Sequence, residues 1–210
     1  MKVKQHISGG DTRCVQAAFR MVVETLTGKD PGAEAADQMT GYIEGRGTWQ
    51  FKMLLAFASY GFEVVDYEKM NVRHFVADPE GAIRAQVGDE ESAQGILMET
   101  DLLSEKEALK GCLELPQIQF IESIPSFEDL EQEVKLGKLA LVNVNLRMLQ
   151  NTEGREGHML IVEEITDDEV IVDDPGPDGG LRIAIGRSLF RRAWTSPSEA
   201  MANFISVTKP

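Results

Sequence analysis

The sequence predicts an α+β fold, in which an N-terminal helical part carries a leading helix that packs on a C-terminal antiparallel β-sheet. Two patterns point to it. Apolar residues recur at helical spacing through residues 14–26, with Val15, Ala18, Phe19, Val22 and Val23 on one face. From residue 139 onward the pattern changes to short runs rich in β-branched residues, separated by turn residues. The 210 residues, 42% of them hydrophobic, can bury one sizeable core, and no repeat divides them. A single domain over 1–210 is expected, with a helical lobe over about 1–115 and a β-rich lobe over about 116–210.

Asp11 or Thr12 is placed to cap the first helix, and Gly28 follows its end. A shorter helix is expected from 33 to about 39, then a loop marked by Gly41, Gly45 and Gly47. Thr48 is expected to cap a helix over 49–60, closed by Gly61, and a strand follows over 62–66. Between 71 and 115 the pattern is helical in pieces, Val72–Ala77, 82–86 and 105–112, broken at Asp78-Pro79, Gly88 and Gly95. A strand over Ile118–Ile121 precedes a helix over 127–136, where Ser126 and Asp129 form a capping box and Gly137 is the stop. The remaining strands are read at 139–144, 158–165, Glu169–Asp173, 181–185 and 204–207, with a short helix over 188–194.

Formal net charge is −14, whereas a nucleic-acid partner calls for a basic face. The local basic cluster of Arg187, Arg191 and Arg192 is too small to make one, so no nucleic-acid partner is expected. The longest apolar runs, such as 139–142 and 159–162, are strand-sized, and residues 1–10 lack an apolar signal segment. A cytoplasmic protein without membrane insertion is expected. No cofactor or metal is expected either. Gly9-Gly10 and Gly179-Gly180 lack the lysine and spacing of a phosphate loop, and the aspartates at 167–168 and 173–174 lack EF-hand spacing.

The residues suited to chemistry start with Cys14. It falls in the first turn of a helix, where unpaired N–H groups and the helix dipole favour a thiolate. Arg13 beside it carries positive charge. His158 follows Gly157 at the start of an apolar strand, a position from which a ring can lean over a cleft. Of the other histidines, His6 lies in an N-terminal loop and His74 on a helix. The third group comes from Asp173-Asp174-Pro175-Gly176, at the end of the next strand of a hairpin. A carboxylate there can orient the imidazole. Adjacent strand residues face opposite sides. An even-numbered hairpin loop puts Asp173 on the His158 face, while an odd-numbered loop or a bulge puts Asp174 there. Acyl transfer also needs an oxyanion stabiliser. The Cys14 N–H is one donor, Gln5 is the side-chain amide upstream of Cys14, and Gln16 is a weaker substitute. Cys112, between Gly111 and Leu113 in a helical stretch, reads as core. Trp49 and Phe51 fit core packing better than a substrate groove.

With these residues in place, the sequence resembles the bacteriocin-processing, double-glycine-leader peptidases of the papain-like cysteine peptidase superfamily, in particular stand-alone relatives of that domain. The resemblance is carried by Gln5, Cys14-Val15-Gln16-Ala17-Ala18 leading to Met21, Gly157-His158-Met159-Leu160-Ile161-Val162, and Val170-Ile171-Val172-Asp173-Asp174-Pro175. Weaker support comes from Leu54, Leu55, Gly61-Phe62 and Val64, and from Gly137-Lys138-Leu139-Ala140-Leu141-Val142. It implies Cys14 as nucleophile, His158 as base, Asp174 as orienting acid and Gln5 as oxyanion amide. The chain departs from the family in having Val15-Gln16 where a glycine usually follows the cysteine, and in a longer stretch between Gln5 and Cys14. The implied activity is cysteine peptidase or amidase chemistry on a peptide or protein substrate. The alternatives are an acyltransferase on the same scaffold and an inactive peptide-binding module.

Overall fold

A computed structural model describes residues 3–10 and 12–210. The elements are α1 (Cys14–Thr27), α2 (Ala33–Thr40), α3 (Phe51–Ser59), β1 (Glu63–Glu68), α4 (Val72–Ala77), α5 (Pro79–Val87), α6 (Glu90–Glu99), α7 (Leu102–Glu114), β2 (Ile118–Ile121), α8 (Phe127–Lys135), β3 (Leu139–Asn145), α9 (Leu146–Leu149), β4 (Gly157–Ile165), β5 (Glu169–Asp173), β6 (Ile183–Gly186), α10 (Arg187–Trp194) and β7 (Asn203–Thr208). The strands form one seven-stranded sheet in the order β2-β1-β7-β3-β4-β5-β6.

Neighbours in the sheet are antiparallel except β1 and β2, which pair in parallel with Val64 opposite Ile118. The strands read at 62–66 and 118–121 join this sheet as β1 and β2. β1 comes from the helical N-terminal half, and it lies inside the sheet between β2 and β7. The α+β class itself holds.

Helices cover both faces. Leu139 and Leu141 of β3, Met159 and Ile161 of β4, and Ile205 and Val207 of β7 pack into one core with α1, α3 and the helices between β1 and β2. Ala140, Val142, Leu160, Val162 and Phe204 pack into a second core with Phe127 and Leu130 of α8 and Phe190 and Trp194 of α10. Burial on both faces explains why β3 and β4 read as continuous apolar runs without alternation. α1 buries the predicted stripe of Val15, Ala18, Phe19, Val22 and Val23.

Local signals placed several elements well. Ser126 and Asp129 form the reciprocal capping box of α8. Gly28 and Gly88 end α1 and α5 in the left-handed region. Two expectations fail for physical reasons. Thr48 does not cap α3, because its hydroxyl accepts the Gln16 side-chain amide at 3.0 Å and the helix begins at Phe51. Gly95 does not break the chain. It lies within α6, whose start is capped by Asp89 accepting from Ser92 N–H at 2.8 Å.

Beneath β1, polar residues enter the first core. Asp66 and Glu68 are buried, and the Gln50 side-chain amide donates to Glu68 at 2.6 Å and to Asp66 at 3.4 Å. Gln86 donates to Glu68 at 2.6 Å, and Asp66 Oδ1 has no partner. Burial raises both carboxyl pKa values above the ordinary range. Cys112 lies near them, fully buried, its thiol donating to Phe51 O at 3.4 Å. Burial first, then the neighbouring Asp66 and Glu105 charges, push that thiol up to about 12. Cys112 is therefore a core residue, as expected. Trp49 and Phe51 also pack inward, with Phe51 and Phe75 rings meeting edge to face at 5.3 Å.

The raised carboxyl pKa values set a sign for stability. The folded state holds protons on Asp66 and Glu68 that the unfolded chain releases above about pH 4. Their contribution is present at lower pH and lost as pH rises through the folded values. Asp66→Asn, which removes the ionisation, is expected to raise the thermal midpoint at pH 8 by roughly 2–4 °C for each kcal/mol relieved. The gain should shrink at pH 4 in thermal scans of both proteins.

Candidate active site

Among the described residues no side chain caps the start of α1. The helix has Arg13 at its N-cap and no side-chain capping bond. Of the two predicted caps, Asp11 lies outside the described residues, and the Thr12 hydroxyl hydrogen-bonds the Tyr42 hydroxyl at 3.3 Å instead. Arg13 turns away too, reaching Asp37 at 3.3 Å and stacking over the Tyr42 ring at 4.3 Å. None of the described side chains takes up the first-turn N–H groups beside Cys14. Cys14 is a free thiol, half-buried at the edge of the first core.

His158 is the second residue of β4, opposite Val144 of β3, and only 5% exposed. Its Nε2 hydrogen-bonds Asp174 Oδ1 at 2.6 Å. Nδ1 is the ring nitrogen left free of Asp174, and Cys14 lies near enough to influence the ring. Burial, the largest influence, pulls the imidazole pKa down. The hydrogen bonds and charges of Asp174 and Cys14 together outweigh it and push the value up to about 10. For Asp174, burial acts upward, but the His158 hydrogen bond and charge and the Gly176 N–H bring the net shift below the ordinary value.

A β-bulge decides which aspartate faces His158. Near the hairpin turn Ile165 pairs with Val170 and Glu164 with Ile171; past Glu163, Val162 pairs with Val172 and Ile161 with Asp173. Glu163 is the extra residue. Extended one residue past its last pair, Ile161 with Asp173, this register sets Asp174 on the face shared by His158. The bulge alternative is thus the one the hairpin adopts. Asp173 turns to the other side, fully buried, with Oδ1 accepting Arg182 N–H at 2.8 Å. Burial first, and then the Glu163 carboxyl against it, raise its pKa to about 6 despite the Arg182 N–H.

The loop after Asp174 folds over this pair. Gly176 N–H donates to Asp174 Oδ1 at 2.7 Å. A Cβ on Gly176 would stand 2.9 Å from that oxygen and 3.1 Å from His158 Cε1. On Gly179 it would stand 2.2 Å from the Asp174 carbonyl oxygen. Both positions need glycine for close approach. The N-terminal segment lies against the same loop, with Ser8 N–H donating to Pro175 O at 2.8 Å. Gln5 is exposed and its amide donates to Gly179 O at 3.5 Å. The Gln16 amide is committed to the Thr40 and Thr48 hydroxyls. His6 sits against Glu24 at 2.7 Å, and His74 is exposed on α4.

The structure therefore brings Cys14, His158 and Asp174 together, and it places Gln5 on the adjoining loop. Glu163 and Arg182 have no counterpart in the sequence reading, and Gly176 enters it only as the end of the Asp-Asp-Pro-Gly segment. No short-range signal distinguishes a bulge inside an apolar run. Among the described residues no group of three or more His, Cys, Asp or Glu side chains could hold a metal ion.

Two measurements follow from this geometry. An NMR titration of the His158 ring is expected to show a midpoint near 10 in the parent protein. In Asp174→Asn that midpoint should fall well below 10. The methyl of Gly176→Ala would crowd both partners, so the variant is expected to lower the His158 midpoint in the same titration, while circular dichroism stays at the parental value.

No family model matches the chain, and no curated protein matches it. Among solved structures it is similar to the peptidase domain of Streptococcus ComA, a bifunctional ABC transporter involved in quorum sensing. The two are 13% identical with a TM-score of 0.50, over 100% of this chain and 98% of that one. A C39-like peptidase from Bacillus anthracis matches over 40% of this chain and 48% of its own length, at 21% identity and a TM-score of 0.33. Among the described residues no helix is long and apolar enough to cross a membrane. With one sheet between two helical layers and end-to-end coverage of the ComA domain, the chain is built on the papain-like peptidase fold.

Proposed function

We propose that the chain is a cysteine peptidase or amidase acting on a peptide or protein substrate. The observation that carries this reading is the 2.6 Å hydrogen bond from the His158 ring to Asp174, beside a cysteine in the first turn of a helix. In the reaction, the Cys14 proton passes to His158 and the Cys14 sulfur attacks the substrate carbonyl carbon. Asp174 holds the ring so that Nδ1 faces the sulfur, and its charge stabilises the imidazolium. The Cys14 backbone N–H donates to the developing oxyanion, as does the Gln5 amide on leaving its long bond to Gly179 O. The imidazolium then gives its proton to the leaving amine as the C–N bond breaks. Water attacks the thioester, returns a proton to His158 and releases the acid.

The upward push on the His158 pKa favours the imidazolium that forms when the ring takes the Cys14 proton, and that imidazolium is the general acid for amine departure. Cys112 provides an internal contrast, since its buried thiol holds its proton at neutral pH.

The test uses both cysteines. Iodoacetamide at pH 6, with sites mapped by mass spectrometry, is expected to modify Cys14 well ahead of Cys112 and faster than a free thiol. His158→Ala should remove that advantage. Cys14→Ala is expected to lower hydrolysis of a fluorogenic peptide mixture by roughly 10³-fold or more. A Cys14 that reacts no faster than a free thiol would sink the reading.

A further inference from the structure

The bulge at Glu163 needs something to hold it. An extra residue in an antiparallel ladder loses its pairing, and the strands can regain a regular ladder by slipping one residue. Carried past Glu164 without a bulge, the pairing would set Val162 opposite Asp173 and Ile161 opposite Asp174. Asp174 would then face away from His158, because Ile161 and His158 lie on opposite faces.

Arg182, the residue before β6, spans this point. Its guanidinium reaches Glu163 at 2.6 Å and Glu164 at 3.0 Å, the bulged residue and its neighbour. Its backbone N–H donates to Asp173 Oδ1, on the opposite strand, at 2.8 Å. One residue thus grips both strands at the irregularity. Arg182 also has a φ of 55°, a left-handed backbone that a side chain with a Cβ rarely adopts. Such strain persists where surrounding contacts over-determine the conformation. The arginine side chain is 60% exposed, and exposed ion pairs contribute little to global stability. Glu163 is different, with its side chain only 8% exposed and turned toward buried Asp173. Arg182 is the positive group on this carboxylate pair.

We propose that Arg182 is a positioning residue that locks β4 and β5 in the bulged register and so keeps Asp174 turned toward His158. This rests on reading Cys14, His158 and Asp174 as the reacting set, and it adds a distant residue on which that set depends.

The informative variant is Arg182→Gly. It relieves the left-handed backbone, keeps the N–H to Asp173 and removes the guanidinium. The readouts are the His158 NMR titration and the rate of Cys14 alkylation at pH 6, with the thermal midpoint measured alongside. Arg182→Gly is expected to slow alkylation about tenfold and to lower the His158 midpoint, with little change in thermal stability. Arg182→Lys, which keeps the charge and loses the two-pronged grip, should restore only part of the rate. Asp174→Asn should add nothing in the Arg182→Gly background. Parental alkylation and titration in Arg182→Gly would overturn the proposal. If that variant does not fold, the double variant Glu163→Gln, Glu164→Gln carries the same expectation. The two readings fail separately. A His158 titration unmoved by Asp174→Asn removes the triad itself, whereas one moved by Asp174→Asn but not by Arg182→Gly removes only the clamp.

Discussion

The register of β4 against β5 governs the geometry of the site. With Ile161 opposite Asp173, the next residue, Asp174, lies on the same face as His158, and the ring and carboxylate meet at 2.6 Å. The burial of His158 makes that contact necessary for a charged ring. An imidazolium that is 5% exposed has lost most of its water, and without a facing carboxylate it would shed its proton. The loop over 175–180 closes on the same pair, with Gly176 against His158 and no side chain between them. The N-terminal segment then ties to that loop through Ser8.

The helical and strand components support the pair in different ways. α1 is fixed along its length by a buried stripe, so its first residue is carried on a rigid rod. β4 is held between β3 and β5 and packed on both faces, so His158 rests on a backbone with little freedom. Two cysteines in one chain meet opposite conditions as a result. Cys14 lies in the first turn of a helix at the edge of the first core, and Cys112 lies among apolar side chains and buried carboxyls.

What the sequence made legible was local. The Ser126–Asp129 box, the bounds of α4 and the span of β5 depend on residues within one turn or one strand, and each was read correctly. The start of α3 was misread because the Thr48 hydroxyl is drawn to Gln16, a partner from another helix. α6 was missed because a mid-helix glycine is only a weak penalty when a good cap precedes it. Asp174 could be preferred to Asp173 only by family resemblance. The four apolar residues 159–162 are buried on both faces, so no alternation was left to reveal the extra residue at Glu163. The inward position of β1 was also hidden, because pairing with β7 joins segments 135 to 145 residues apart.

That last pairing governs the order in which the molecule can be assembled. β7 follows every other strand in the chain, yet it sits between β1 and β3. Without residues 203–208, β2 and β1 would be a two-stranded ribbon on one side and β3 to β6 a separate sheet on the other. Each would have an unsatisfied edge facing the gap. During synthesis from the N-terminus, the helices with β1 and β2 emerge first and the hairpin bearing His158 later, and nothing unites them through the sheet. The final strand works as a keystone. Both apolar layers lean on it through Phe204 on one side and Ile205 and Val207 on the other. α1, which carries Cys14, packs directly on β4, the strand of His158, so the proposed nucleophile and base share a helix–strand contact, and β7 adds to that frame by tying β3, the neighbour of β4, to β1.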